Sequence, residues 1–317
     1  VTLPSSDRLS VIICCYTKDR LELMSRAVES VCRQLSPVHE VVLVVDHNPA
    51  LFEFVEQSFS GVTVVENAEQ QGLSGARNTG VRTASGTILA FIDDDARVDE
   101  DWSKRLLDAY ADPAVVAVGG SVIPEFEAGR PAWFPPELDW VVGCTYVGHR
   151  LDAGPVRNLI GANMSFRADA LAALGGFRTD LGRTDAGGGG CEETELCMRC
   201  AHLPQGTVWF EPLAVVHHFV PRERTTMRYL RRRCVGEGRS KAVVARLVGG
   251  VGGLSSERSY VLGTLFQAAG RELRSMTRSA EPAAWRRLAA IFGASLATAW
   301  GYAVASVAGR TVIRRGG

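Results

Sequence analysis

The sequence predicts an α/β fold: a mostly parallel central sheet flanked by helices, followed by a C-terminal helical extension. Two observations carry this. Over the first hundred residues, short β-branched runs alternate with stretches of helical periodicity. Polar side chains then fall at the ends of successive runs, at Tyr16, Asp46, Asn67 and the triplet Asp93, Asp94 and Asp95. Open parallel sheets bind ligands outside the carboxyl ends of their strands. Four strands delivering polar groups to one edge therefore mark a site.

The elements follow in order. "LSVIICC" is a buried strand from Leu9 to Cys15, and "RLELMSRAVESVCRQ" has apolar residues at helical spacing. "HEVVLVVDHNP" is a second strand ending at Asp46, "LFEFVEQSF" a helix and "VTVVEN" a third strand. "LSGARNTGVRTAS" is a helix stopped at Gly86, and "TILAFIDDD" the fourth strand. The second half is more broken. "AVVAVGGSVIP" reads as a strand, and residues 124–160 as a loop-rich stretch with Trp133 and Trp140. "LIGANMSFRADALAALGGF" is a strand end and a helix. "TDAGGGGCEETELCMRCAHL" is a glycine-rich loop feeding a helix whose first turn is acidic, where the helix dipole favours negative charge. "TVWFEPLAVVHHFVP" is a strand, and "TTMRYLRRRCVGEGRSKAVVARLV" a basic amphipathic helix. The domain expectation is a catalytic part at 1–241 and a helical extension at 242–317.

Composition excludes several classes. The 317 residues carry 35 basic and 35 acidic side chains, so no net field directs the chain to nucleic acid. Eight cysteines lack a second C-x-x-C at metal spacing beside Cys197 and Cys200, which points to reduced core thiols in a cytosolic compartment. The first strand begins almost at once with no leader pattern, which places the start of the chain on the cytosolic side. Residues 288–309 contain no charge and are flanked by Arg286, Arg287 and Arg310. That length can span a bilayer; a buried helix hairpin and a helix lying on the membrane are the alternatives.

The chemistry begins at the aspartates. Three adjacent carboxylates need a counter-charge, and hard cations such as Mg2+ and Mn2+ bridge carboxylates to substrate phosphates. A solvated acidic turn is the plainer alternative. The first strand is followed by "CCYTKDR", with no glycine fingerprint for a dinucleotide, and no Walker loop occurs. Phosphate here is then held by metal and side chains. Glu192, Glu193 and Glu195 suit general-base work on a hydroxyl, or simply helix-start charge. Of His217 and His218, strand alternation lets only one face a site interior, where it becomes an extra metal ligand.

The motifs "SVIICCYTKDR", "VVLVVD", "GLSGARNTGVRTASGTILAFIDDDARVDEDW", "GANMSFRADALAALGGF", "CEETELCMR" and "HFVPRER" occur in one order. On them the chain resembles the inverting glycosyltransferases of family 2, with the nucleotide-sugar-binding GT-A fold, over about Leu9 to Lys241. The resemblance implies a nucleotide-sugar donor and a site assembled as follows. Tyr16 and the backbone beside Cys14 line the base pocket, and Asp46 binds uracil or ribose. Arg77 and Asn78 flank the nucleotide, with Asn163 also on the donor. Asp93 and Asp94 contact the ribose and diphosphate. Asp95 ligates Mn2+ or Mg2+, and the histidine before "x-V-P-x-x-R" is His218. The family's base is the aspartate of an E-D pair; here the pair is Glu192–Glu193, so Glu193 takes that position and Glu192 stays as the alternative. The arginine-rich helix and apolar tail resemble the glucosyl-dolichyl-phosphate glucuronosyltransferase-like branch. This implies a glycan or polyprenyl-linked glycan acceptor at the cytoplasmic face of the cell membrane, where each basic residue gains on the order of 1 kcal/mol near anionic headgroups. A soluble cytoplasmic enzyme whose arginines bind diphosphate or glycan is the alternative. A haloacid-dehalogenase phosphatase needs its aspartate nucleophile near the start of the chain, and a sugar nucleotidyltransferase needs an early G-x-G-T-R-like loop; neither is present. A non-catalytic sugar-nucleotide-binding module is disfavoured by the carboxylate at the base position.

Overall fold

The computed structural model describes residues 7–181, 190–204, 206–247, 260–279 and 283–313. It consists of two compact units, each discontinuous in sequence. The first comprises Val1–Ile123, Arg150–Ala186 and Glu192–Phe219; the second comprises Pro124–His149, Gly187–Cys191 and Val220–Gly317.

The first unit is built on a sheet of nine strands: β1 (Leu9–Cys15), β2 (Glu40–Val45), β3 (Thr63–Glu66), β4 (Ile88–Asp93), β5 (Ala96–Val98), β6 (Val115–Phe126), β7 (Gly154–Pro155), β8 (Asn163–Arg167) and β9 (Thr207–Val220). The order is β3-β2-β1-β4-β8-β6-β9-β5, with β7 on β9. The four strands read as βαβ units pair in parallel. The broken second half adds antiparallel strands, β8 on β4 and on β6, and β5 on β9.

Both sheet faces are covered, which is why the parallel strands are continuous apolar runs rather than alternating ones. Leu9, Val11 and Ile13 of β1 pack with Ile88, Ala90 and Ile92 of β4 on one face. That face is capped by α1 (Leu21–Cys32), α2 (Pro49–Ser58) and α4 (Trp102–Ala109). Ile12, Leu89 and Phe91 point to the other face, under α3 (Leu73–Thr83), α5 (Ala168–Leu174) and α6 (Glu192–Cys200). Phe91, Phe166 and Phe177 meet edge to face there, with centroids 5.1–6.2 Å apart. Cys197 and Cys200 are buried thiols of α6 in the same cluster.

Helix α3 lies directly on the sheet because Gly80 lacks a side chain: a Cβ there would sit 2.4 Å from Ile12 Cγ2 and 3.3 Å from Val44. Gly80→Ala should therefore lower unfolding free energy by about 1–3 kcal/mol in a denaturant titration. Gly236, also helical but with open space at its Cβ, is the contrast. Gly236→Ala should gain roughly 0.5–1 kcal/mol.

The second unit holds α7 (Met227–Leu247), a π-helical turn (Tyr260–Leu265), α8 (Phe266–Ser279) and α9 (Ala284–Ile313). The loop-rich stretch contributes a 3-10 helix, Pro136–Val142. Its Glu137 is almost fully buried and pairs with Arg271 at 2.9 Å, while Arg287 reaches Glu272 at 2.7 Å. Trp140 donates to the Tyr260 hydroxyl at 3.2 Å, and Trp133 packs edge to face on Phe134. Most of the glycine-rich stretch before Cys191 falls outside the described residues.

Candidate active site at the strand ends

The aspartates sit where β4 runs out of the sheet. Cys14 of β1 is in register with Asp93, and the turn Asp94–Asp95 leads into β5. That short strand pairs with β9, placing Ala96 opposite His218. The Phe219 amide donates to the Asp95 carbonyl at 2.9 Å, which locks the turn to β9. Alternation then sends the two histidines apart. His217 Nε2 meets Asp99 Oδ1 at 2.9 Å, and buried His218 Nε2 meets Asp95 Oδ1 at 3.1 Å.

Asp93, Asp95 and His218 each offer one ligand atom, all within 4.8 Å of one another. Two carboxylate oxygens and one imidazole nitrogen form a donor set that suits Mn2+, and its oxygens suit Mg2+. The electrostatics fit a cation as well. Asp94 is buried, and its Oδ2 has no hydrogen-bond partner. Burial, then the neighbouring charge of Asp95, push its carboxyl up to about 7, against the pull of Arg20. A cation beside it favours the ionised form.

Two arginines supply protein counter-charge. Arg20, in the 3-10 helix Lys18–Arg20 after β1, reaches Asp94 at 2.9 Å and Asp95 at 3.2 Å and lies 5.6 Å from the Tyr16 ring centroid. Sequence reasoning missed Arg20, although it lies within the quoted "CCYTKDR". Buried Arg77 of α3 pairs with Glu192 Oε1 at 2.9 Å, approaches Asp93 Oδ1 at 3.6 Å, and donates to the Gly161 carbonyl at 3.2 Å. One guanidinium therefore ties the aspartate turn to the start of α6.

The two glutamates of α6 differ. Glu192 is buried in the Arg77 pair, and its Oε2 has no hydrogen-bond partner. Glu193 is only partly buried, and its Oε1 accepts from Thr194 Oγ1 at 3.5 Å.

Further along the sheet edge, Asp46 Oδ1 accepts from Asn67 Nδ2 at 2.6 Å and lies 2.9 Å from His47 Nδ1, while Oδ2 accepts from the Gly72 amide at 2.9 Å. His47 adopts a left-handed φ of 49° to make this turn. Tyr16 is 45% exposed at the same edge. The Cys14 thiol is pushed up to about 12 by burial and stays neutral. Two asparagines expected on the donor are spent inside the fold. Asn78 bonds both ways to the Phe177 backbone at 2.8 Å. Asn163, fully buried, accepts from Trp102 Nε1 and donates to the Ser121 and Ala214 carbonyls.

The model of the family described as glycosyl transferase family 2 matches residues 10–175, more than half of the chain. The chain belongs to glycosyl transferase family 2. The match covers β1 to α5 and so includes the three aspartates and Arg77, while Glu192, Glu193 and His218 lie beyond it. This glycosyltransferase is 32% identical over 93% of its length to a glucosyl-dolichyl phosphate glucuronosyltransferase of Haloferax volcanii, covering 95% of that protein. Among solved structures it resembles a Pyrobaculum calidifontis mannosyltransferase in complex with GDP-Man and Mn2+ (TM-score 0.60, 20% identity, 94% of this chain and 88% of that one). It also resembles GalNAc-T7 with UDP, GalNAc and Mn2+ (TM-score 0.53, 18% identity, 81% and 54%). These likenesses give the transferase a GT-A-like fold, as the motifs implied.

Proposed function

We propose that this glycosyltransferase moves a sugar from a UDP-sugar to a hydroxyl of a lipid-linked glycan, with inversion, at the cytoplasmic face of a membrane. The observation that carries the reading is the meeting of Asp93, Asp95 and His218 beside the Arg77–Glu192 pair at the start of α6. The Haloferax relative's name supports a dolichyl-phosphate-linked acceptor. The Mn2+ present in the complexes of both solved neighbours supports a divalent cation.

A cation held by Asp93, Asp95 and His218 would supply positive charge for the diphosphate leaving group. Arg20 keeps Asp94 and Asp95 oriented when the cation is absent. Asp46 and Tyr16 border the place for the base and ribose. Arg77 fixes Glu192 and, with it, the first turn of α6. Glu193 then takes the proton of the acceptor hydroxyl. The hydroxyl oxygen bonds to the anomeric carbon from the face opposite the diphosphate, and the electron pair of the broken C–O bond leaves with the diphosphate.

A thermal-shift screen with UDP-, GDP- and dTDP-sugars in Mn2+ tests the donor. Selective stabilisation by a UDP-sugar, with a rise of several degrees at about 100 times Kd, is expected. Selective stabilisation by a GDP-sugar would replace the donor assignment.

A further inference from the structure

We propose that the exposed apolar face of α9, bordered by the arginines of α7, docks onto an anionic membrane with the helix lying in the membrane plane, not crossing the bilayer. The choice of partner rests on the lipid-linked acceptor reading above; the mode of attachment rests on the helices themselves.

By length alone α9 is ambiguous. Ala284–Val307 is a 24-residue stretch of mean hydropathy 1.5, long and apolar enough to cross. Its neighbour argues against crossing. A Cβ on Gly238 of α7 would sit 2.0 Å from the Thr298 carbonyl oxygen of α9. A Cβ on Gly301 of α9 would sit 2.1 Å from the Val235 carbonyl oxygen of α7. The two backbones therefore touch, in the way small residues allow helices to approach. Ala290, Ile291 and Ala294 bury the rest of that side of α9. Between 227 and 247, α7 carries seven basic residues and one glutamate. A bilayer-spanning α9 would either drag these charges into hydrocarbon or tear open the glycine contact. Both are costly.

The exposed side of α9 has one character. From residue 289 to 307 its exposed positions are 289, 292, 293, 296, 299, 300, 303 and 307, and every one is apolar or glycine. Phe292, Leu296 and Trp300 are 56%, 71% and 66% exposed. The steps of three or four residues make this one continuous helical face. Helix α8 in the same unit is different: exposed Phe266, Leu273 and Met276 are mixed with Gln267, Arg271 and Arg274. That is ordinary water-facing composition, so the uniform face of α9 belongs to that helix alone among α7, α8 and α9.

Charge names the partner. Arg228, Arg231 and Arg232 of α7 are exposed. Arg231 lines, together with Leu296 and Trp300, a groove of about 470 Å3 between α7 and α9. Arg286 lies at the start of the apolar face. An apolar stripe flanked by arginines is the pattern of a helix held at the headgroup boundary of an anionic leaflet.

Vesicle flotation of the full chain tests this. We expect binding to vesicles containing anionic phospholipid, little to zwitterionic ones, and complete release by alkaline carbonate. Phe292→Glu, Leu296→Glu and Trp300→Glu together should weaken partition by about tenfold or more, with UDP release from the donor unchanged. Arg228→Glu, Arg231→Glu and Arg232→Glu, which leave the apolar face intact, should remove the preference for anionic lipid. Retention of α9 after carbonate treatment would overturn the proposal in favour of a spanning helix. Unchanged binding of the apolar triple variant would overturn it as well. So would a stable dimer in vesicle-free solution that the triple variant dissociates, because a second copy would then cover the face. Vesicle binding without transfer to a lipid-linked acceptor would leave this proposal standing and remove the acceptor assignment.

Discussion

Glu193→Gln should lower sugar transfer by about 10²–10⁴-fold, the range for loss of a general base, while the melting temperature and Mn2+ affinity hold. The glutamine keeps the size and helical preference of the side chain but cannot take the acceptor proton. Its neighbour provides the contrast. Glu192 and Arg77 have side chains only 4% and 3% exposed. Glu192→Gln takes from a buried guanidinium the nearer of its two carboxylates, leaving Asp93 at 3.6 Å, which should cost up to about 3–5 kcal/mol. One glutamate should therefore register in kinetics and the other in stability. Steady-state transfer rates and denaturant titrations of the two variants read this directly. Full transferase activity in Glu193→Gln would remove the base assignment.

Asp95→Asn should weaken Mn2+ binding by at least about 100-fold and reduce transfer in step, since a neutral amide replaces one of two anionic donors. His218→Ala should lose affinity in the same direction. His217→Ala should lose none, because its ring pairs with Asp99 on the other side of the strand. Isothermal titration with MnCl2 separates the three variants. Equal losses in the two histidine variants would contradict the ligand assignment.

The parallel half of the fold was legible because its strands are unbroken β-branched runs separated by helices of clear period. Leu9–Cys15 appears in the structure with the boundaries read from sequence. The antiparallel half was less legible. Three-residue β5 is too short to show a period, yet its pairing with β9 brings His218 to Asp95. Helix α4 carried a readable signal in Trp102 and Leu106, four residues apart, that the reading passed over. Within the site, strand geometry marked the aspartate turn and let only one of His217 and His218 face inward, and the family resemblance implied His218. The counter-charge did not: Arg20 lies 74 residues from Asp94, and only the β1–β4 pairing brings them together. Asn78 and Asn163 show the opposite limit. Residue type and motif position suggested ligand contact, but Asn78 is engaged by the Phe177 backbone and Asn163 by the Trp102 indole and two backbone carbonyls, groups that packing would otherwise leave unpaired.

The metal-assisted transfer itself is tested most directly by one coupled measurement. UDP release and the mass of a polyprenyl-phosphate-linked glycan acceptor are followed together, first in EDTA and then after Mn2+ is restored. The expected result is no release and no mass gain in EDTA, with both returning in equal amounts on Mn2+ addition. Transfer at full rate in EDTA would contradict the role given to Asp93, Asp95 and His218.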